Sequence, residues 1–277
     1  MFEFDLIGTI RLTSLLVGIS LLIGSLEQFV IIKEYRSDGL FSWDVFRTHF
    51  PEFSFPVLRS LFSPAFNYRG VWILLCGSFI SALILVIPVH NFAISYYFAP
   101  IALALLMKLA LAYRNFYGAD GSDQMETIVL AGLCSALCLL PSKSARLGIW
   151  FIAGESALSY FASGVSKLFS RAWITGEAVF KIFNTYTYGH KFIASWLRRY
   201  SPFSAPLCWL IIIYECAFPL CLILPVRVAV VILCIGFCFH IGNAFIMGLN
   251  KFFWAFLSTY PALLYCNREI ASWIASR

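Results

Sequence analysis

Charged residues are scarce in this chain. Only 12% of its 277 residues are Asp, Glu, Lys or Arg, whereas a soluble domain has about 25%. So few charges could not cover the surface of a soluble protein, because 61% of the residues are hydrophobic and the mean hydropathy is +0.83. The composition excludes an ordinary soluble domain. It predicts an all-α integral membrane protein, since helices satisfy their own backbone hydrogen bonds in lipid.

Metal-ligating patterns are also lacking. The chain has four histidines, and no acidic or histidine spacing typical of a metal site recurs. No pair among the nine cysteines has C-x-x-C spacing. Cys134/Cys138 and Cys234/Cys238 are each one helical turn apart, which leaves metal or disulfide chemistry as the alternative to simple packing in apolar runs. We predict no metal.

Basic clusters of the kind that bind nucleic acid are missing as well. The net charge of +6 is modest, and no Lys/Arg cluster alternates with exposed aromatic residues. The basic balance suits loops near anionic lipid headgroups, so we expect membrane lipids as partners and no nucleic acid. Glu3 and Asp5 give the first residues the wrong charge for a cleaved signal, and we expect the first apolar run to be retained as a span.

Apolar runs predict a single bundle of about eight transmembrane helices over residues 1–277. We expect these spans at 11–32, 71–89, 94–113, 124–140, 147–169, 205–224, 227–247 and 252–266. The connections 33–70 and 170–204 mix basic residues with prolines and aromatics, so they are expected to lie on the membrane as amphipathic interfacial segments. Lys108, near the end of the third span, is expected to snorkel to the surface.

The span 147–169 carries the most informative polar residues. Ser156, Tyr160, Ser163 and Lys167 lie at i, i+4, i+7 and i+11, and therefore share one helix face. A charged group at membrane depth is costly and by default marks a functional site. A buried lysine amine can act as a base, whereas a lysine that extends past the helix end is only an anchor.

Other spans carry polar residues that could complete a site. His240 lies in the middle of the span 227–247, with Asn243 one turn further on, and Glu215 lies in the preceding span. A lone histidine on a helix face is as often a packing residue as a ligand, so both interpretations stay open for His240. Glu27 and Glu155 are the remaining carboxylates at or near membrane depth.

A polar stretch precedes the fourth span and has two interpretations. Ser122 or Asp123 would cap the helix, with Glu126 as the capping-box partner three residues after Asp123. Alternatively, Asp120, Asp123 and Gln124 would face a substrate site from a loop at its mouth.

Three stretches of the chain resemble the HTTM family, the membrane domain of vitamin-K-dependent gamma-carboxylase and its bacterial relatives. The segment 160–168, followed by Trp173 and Gly176, is similar to the Gly-Val-x-Lys-Leu…Trp…Gly segment that contains the carboxylase's catalytic lysine. The segment 239–243 is similar to the family's Phe-His-x-x-Asn. Glu215 stands where the family has an acidic residue in the preceding helix.

The resemblance implies a function and a set of site residues. Lys167 and His240 would be catalytic: Lys167 would be the base, and His240 with Asn243 would hold a substrate oxygen. Tyr160, Glu215 and Asn243 would contribute to substrate binding. The polar stretch itself, and not the resemblance, adds Asp120, Asp123 and Gln124 to the expected substrate-binding residues. The cofactor would be a reduced, vitamin-K-like quinone. The substrate would be a secreted peptide or protein, or the lipid quinol itself.

The chain also departs from the carboxylase pattern. Residues 121–125 contain no histidine where carboxylases have a functional one, and the large C-terminal soluble region of carboxylases has no counterpart before position 277. The size is closer to a bacterial branch linked to maturation of secreted peptide toxins. The alternative is therefore a non-catalytic partner in such maturation, acting as an immunity, chaperone or export subunit beside accessory maturation proteins.

The expected location is a bacterial cytoplasmic membrane, which the chain crosses several times. Two criteria predict opposite orientations of the chain in this membrane. The connections 33–70 and 170–204 hold ten Lys and Arg residues, which the positive-inside rule places in the cytoplasm. The family resemblance places the Lys167 end outside.

Overall fold

The computed structural model of the chain describes residues 5–87, 93–115 and 120–276. Helices make up the regular structure, and no strand occurs in these ranges. The chain divides into two compact units. Unit 1 comprises Met1–Thr9 and Ile149–Arg277, and unit 2 comprises Ile10–Gly148. Each unit is described by itself.

Five helical segments of the described chain are long and apolar enough to cross a membrane. They are Leu6–Val30, Tyr68–Val86, Ile94–Arg114, Ser204–Leu222 and Val226–Met247. Each matches an expected span to within a few residues, except at the start of the first helix. The chain therefore has the helices of a membrane protein, as its composition predicts.

Unit 2 contains most of α1 (Leu6–Val30) and five further helices. These are α2 (Trp43–Phe46), α3 (Pro56–Phe66), α4 (Tyr68–Val86), α5 (Phe98–Arg114) and α6 (Gly121–Cys138). As expected, the connection after α1 folds into short helices and 3₁₀ turns. An aromatic cluster that includes Tyr35, Trp43, Phe53 and Phe66 packs this connection against Leu75 of α4.

Local sequence sets the starts of two helices in unit 2. Asn67 accepts a hydrogen bond from the Gly70 amide at 2.9 Å and caps α4. Asp120 accepts from the Ser122 and Asp123 amides, and the Asp123 carboxylate accepts from the Asp120 amide, which forms a complete capping box for α6. The cap expected at Ser122 or Asp123 with Glu126 is wrong, because the box lies one turn earlier and Glu126 is buried.

Unit 1 contains most of α7 (Arg146–Leu168) and the seven helices that follow. They are α8 (Arg171–Ile174), α9 (Ala178–Phe183), α10 (Lys191–Arg199), α11 (Ser204–Ala217), α12 (Val226–Met247), α13 (Asn250–Leu257) and α14 (Tyr260–Ala275). The connection 170–204 folds into the short helices α8–α10, which pack on α11. Gly176 adopts φ +82° in the turn after α8 and lies directly against Ala205.

The expected final span at 252–266 is interrupted. α13 ends at Leu257 and α14 begins at Tyr260, with Pro261 in its first turn. Ser258 donates from its hydroxyl to the Ala255 carbonyl, and Thr259 donates to the Phe256 carbonyl at 2.8 Å. A single continuous helix is therefore wrong here, because the proline and the two hydroxyl residues favour a break.

Candidate functional site

The polar face of α7 is engaged along its length. Ser156 lies 2.9 Å from the hydroxyl of Thr259, Tyr160 contacts a histidine, and Lys167 reaches a carboxylate. The face predicted from the spacing of polar residues thus packs against α11, α12 and the α13–α14 junction inside unit 1. None of these partners could be identified from helical spacing alone.

Lys167 is held inside unit 1. Its Nζ donates to Glu215 Oε2 at 2.7 Å and to Ser163 Oγ at 2.6 Å, and it lies 5.0 Å from the centre of the Trp173 ring. The Lys167 side chain is 16% exposed and that of Glu215 is 6% exposed. The amine therefore lies against a carboxylate, a hydroxyl and an indole face.

A glycine allows α7 and α11 to approach closely enough for this pair. A Cβ at Gly164 would lie 2.7 Å from Cys216 Sγ, 2.8 Å from the Cys216 amide nitrogen and 3.0 Å from Glu215 Cβ. Small residues at such crossings let two membrane helices pack backbone to backbone. Gly164 is thus a positioning element that sequence reasoning did not assign to the site.

Tyr160 and His240 form a second buried contact on the same face of α7. The Tyr160 hydroxyl lies 2.6 Å from His240 Nε2, and both side chains are about 4% exposed. The Tyr160 ring stacks on Phe218 at 3.6 Å, and the His240 ring stacks on Phe256 at 4.7 Å. His240 Nδ1 is buried and has no hydrogen-bond partner among the described residues.

Three tyrosine hydroxyls converge on Gly236 of α12. A Cβ at this position would meet the hydroxyls of Tyr214 and Tyr260, and it would lie 3.5 Å from that of Tyr160. Gly236 shares a helix face with His240, one turn away, so the tyrosine group borders the Tyr160–His240 contact. The sequence analysis did not predict that Tyr214 and Tyr260 lie at the site. The one feature that indicated a close approach here was Gly236, on the same helix face as His240.

The Lys167–Glu215 contact and the Tyr160–His240 contact lie at different heights along α7. Tyr160 and Lys167 are seven positions apart in sequence, which corresponds to about 10 Å along the helix axis. Asn243 is half-buried near the end of α12, and its carbonyl accepts from the Leu249 amide. The structure thus brings Lys167 to Glu215 and Tyr160 to His240, while Asn243 lies one turn before the end of the helix that bears the histidine.

The other predicted substrate-binding residues lie in unit 2. Asp120 is the exposed N-cap of α6, and Gln124 is exposed one turn further on. Asp123 completes the cap and also accepts a hydrogen bond from Lys108 at 2.5 Å. These residues therefore begin a helix and contribute to a charge cluster.

That charge cluster is buried in unit 2. Lys108 of α5 pairs with both Glu126 and Asp123 of α6, and Glu126 also accepts a hydrogen bond from Ser20 of α1 at 2.6 Å. Lys108 is 7% exposed and Glu126 is fully buried. The expectation that Lys108 snorkels is wrong, because two carboxylates of the neighbouring helix compensate its charge in place.

Arg114 is a further buried cation in unit 2. Its Nε donates to the Phe66 carbonyl at 2.9 Å and its Nη2 donates to the Phe41 carbonyl. The guanidinium also lies over the rings of Tyr35, Trp43 and Phe46. Burial raises the pKa of the Tyr35 hydroxyl, which accepts a hydrogen bond from Asn115.

The remaining predicted polar groups are less enclosed. Glu27 is exposed near the end of α1, and Glu155 is half-buried on α7. Within the described residues, no group of three or more His, Cys, Asp or Glu side chains could hold a metal ion.

Comparison of the chain with protein-family models, curated proteins and solved structures gives no match.

Proposed function

We propose that the chain is a membrane-embedded enzyme similar to the vitamin-K-dependent carboxylase family, in which Lys167 acts as a base. The observation that carries the proposal is the position of the Lys167 amine, which contacts Glu215 and Ser163 within unit 1. A lysine that served only as an anchor would extend toward the lipid headgroups. The substrate would be a lipid quinol or a secreted peptide.

The contact with Glu215 offers a route for the proton. An amine and a carboxylate 2.7 Å apart can exchange one proton. When that proton lies on Glu215, Lys167 presents a neutral amine that accepts a proton from a substrate O–H or C–H bond. Ser163 donates or accepts a hydrogen bond in either state and holds Nζ in place.

The surroundings of His240 fit a quinone. With the Tyr160 hydroxyl donating to Nε2, the proton of His240 lies on Nδ1, which is buried and without a partner among the described residues. That N–H could donate to a quinone oxygen, and the stacked rings of Phe252 and Phe256 offer a flat apolar surface beside it. A reduced quinone would supply hydroxyl groups and reducing electrons.

The proposal includes about eight crossings of a bacterial cytoplasmic membrane. Besides the five long apolar helices, α7 has 23 residues and spans roughly 34 Å, enough for a bilayer core of about 30 Å. α6 and the interrupted pair α13–α14 would supply the other two crossings.

The test is quinol oxidation by the purified full-length chain in liposomes. The probe is a reduced naphthoquinone with a short prenyl tail, and the reading is the rate at which the quinone absorbance appears in air. We expect Lys167→Ala to abolish the rate above empty liposomes. Leu158→Ala is the matched control, because it truncates an exposed side chain of the same helix. A rate in Lys167→Ala equal to that of the unmodified protein would remove the lysine from the mechanism.

A second candidate is a non-catalytic membrane partner in the maturation of a secreted peptide. The contacts of Lys167 favour this candidate. Its amine already contacts a carboxylate, a hydroxyl and an indole ring, as the amine of a purely structural ion pair would. Quinol oxidation no faster than that of empty liposomes, in a protein that remains folded, would favour this candidate.

A further inference from the structure

A cavity of about 1000 Å³ opens in unit 2, within the connection between the spanning helices α1 and α4. Four arginines line it, namely Arg36, Arg47, Arg59 and Arg69. Asp38 and Asp44 are the only carboxylates among the described residues of the lining, whose charges therefore sum to +2. The connection follows one helix that is apolar enough to span a membrane and precedes another, so with both helices in the membrane the cavity would lie at its surface. Its chemistry is independent of the quinone proposal.

Two of the arginines are committed to partners, and two are available. Arg47 pairs with Asp44 at 3.0 Å, and Arg36 lies over the Tyr68 ring at 5.5 Å. Arg59 and Arg69 are exposed and have no carboxylate within ion-pair distance in the described part of the chain. The cavity therefore presents two guanidinium groups with free donors.

A buried hydroxyl in the lining also lacks a partner. Ser42 is 2% exposed, and its Oγ has no hydrogen-bond partner among the residues that the structure describes. Its neighbour Trp43 instead donates from Nε1 to Ser63 Oγ at 3.1 Å. A buried polar atom without a hydrogen bond costs free energy. The unpaired Ser42 hydroxyl therefore indicates a ligand that would form the missing hydrogen bond.

Buried aromatic residues form part of the cavity lining. Tyr35 and Trp43 belong both to the lining and to the aromatic cluster that covers the Arg114 guanidinium. Arg114 also donates hydrogen bonds to both the Phe41 and the Phe66 carbonyls, which links these two segments of the connection. A preformed site of this kind loses little conformational freedom when it binds.

We propose that this cavity binds the phosphate of an anionic phospholipid headgroup. Phosphate offers several acceptor oxygens to guanidinium and hydroxyl donors, and arginine binds it with two parallel hydrogen bonds. Beside the cavity, α3 exposes Val57 and Leu61, at 78% and 68%, and Phe55 is 65% exposed. These apolar side chains suit the acyl chains of a lipid whose headgroup occupies the site.

The experiment is native mass spectrometry of the purified full-length chain in a zwitterionic detergent. The probes are phosphatidylglycerol and phosphatidylcholine with the same acyl chains. We expect phosphatidylglycerol to bind preferentially, and the double variant Arg59→Gln/Arg69→Gln to weaken that binding about tenfold or more, because charge-assisted hydrogen bonds are lost. The variant Arg198→Gln/Arg199→Gln removes the same charge from α10 and should bind as the unmodified chain does.

Ser42→Ala tests the site without changing any charge. We expect it to weaken phosphatidylglycerol binding about tenfold, as the loss of a hydrogen bond to a charged group does. Its melting temperature without lipid should be unchanged or higher, because an unpaired buried hydroxyl is removed, so misfolding would be detected separately.

Three results would overturn the proposal. Equal weakening in the two double-arginine variants would indicate diffuse electrostatic attraction. Unchanged binding in Ser42→Ala would show that the cavity is not the site. Complete displacement of phosphatidylglycerol by inorganic phosphate at millimolar concentration would show that the same donors serve free phosphate and that the lipid assignment is wrong.

Discussion

Lys167 Nζ and Glu215 Oε2 lie 2.7 Å apart, and the approach of their two helices depends on Gly164, which leaves no room for a side chain against Cys216. This ion pair links α7 to α11 across a nearly solvent-free contact. Its energetic consequences can be measured before any substrate is known.

Removing either partner of this pair should destabilise unit 1. Glu215→Gln and Lys167→Met each leave one group in a poorly hydrated place without its counter-charge, at a cost of roughly 3 kcal/mol, the lower end of the usual range because Lys167 keeps 16% exposure. The double variant should recover much of the loss. Thermal unfolding in detergent, analysed as a double-mutant cycle, measures the coupling.

The exposed pair Lys181–Glu177 provides the control cycle. Its atoms are 2.6 Å apart, yet the two side chains are 61% and 57% exposed, and water screens their attraction. Lys181 lowers the pKa of the Glu177 carboxyl through this hydrogen bond. We expect no measurable coupling there; equal coupling in both cycles would contradict the importance of burial.

Gly236→Ala should destabilise unit 1, because it disturbs the packing of the three tyrosine hydroxyls against α12. The new methyl would press on the hydroxyls of Tyr214 and Tyr260, and such overpacking costs about 1–3 kcal/mol. Gly242→Ala lies on the same helix with nothing within 4 Å of its Cβ, and it should be neutral or stabilising by up to about 1 kcal/mol. Chemical unfolding of the two variants compares them directly; the reverse order would refute the packing described for Gly236.

Glu126→Gln should strongly destabilise unit 2. It removes the fully buried carboxylate that pairs with Lys108 and accepts from Ser20, at a cost of roughly 3–5 kcal/mol. Asp123→Asn should cost less, on the order of 1 kcal/mol, because Asp123 is 21% exposed and Glu126 still compensates Lys108. The measurement is the melting temperature of each variant, and a larger effect for Asp123→Asn would count against the assignment of Glu126 as the main partner.

Arg114→Lys should destabilise the interfacial connection of unit 2. An ammonium cannot donate to the Phe41 and Phe66 carbonyls in the same geometry, and it loses the flat contact with three aromatic rings. A buried carbonyl left unpaired costs about 1–3 kcal/mol. Limited proteolysis between residues 36 and 66 should accelerate, whereas Arg59→Lys, at an exposed position, should cleave like the unmodified chain.

Composition and apolar runs predicted an all-helical chain with helices long enough to cross a membrane, and helical periodicity predicted the polar face of α7. Both depend on composition or on residues close in sequence. The pairing of charges could not be predicted in the same way. The sequence around Lys108 predicted that its side chain would reach the surface. In the structure, α6 places Glu126 and Asp123 beside it, and these partners lie 18 and 15 positions away in sequence. Glu126 looked like a capping residue because the capping-box pattern fits two registers. The hydrogen bonds between Asp120 and Asp123 and the burial of Glu126 show which register the helix uses.

The partners of Lys167 and His240 show the same limit. Glu215 was selected by resemblance, and its contact with Lys167 depends on a helix crossing at Gly164 that no spacing encodes. Tyr160 shared the face of Lys167, but its contact with His240 joins residues 80 positions apart. Long-range contacts of this kind follow from packing, and the sequence offers only candidates for them.

The interruption between α13 and α14 has a consequence for how the end of the chain can be accommodated. Ser258 and Thr259 are fully buried, and their hydroxyls donate to the Ala255 and Phe256 carbonyls, the second of which also accepts a hydrogen bond from the Thr259 amide. Hydrocarbon tolerates irregular backbone only where such groups are satisfied from within the protein. The two hydroxyls at this interruption are therefore satisfied within the protein, and in a membrane such bonds would let the last helices turn at a depth where an ordinary loop would be forbidden.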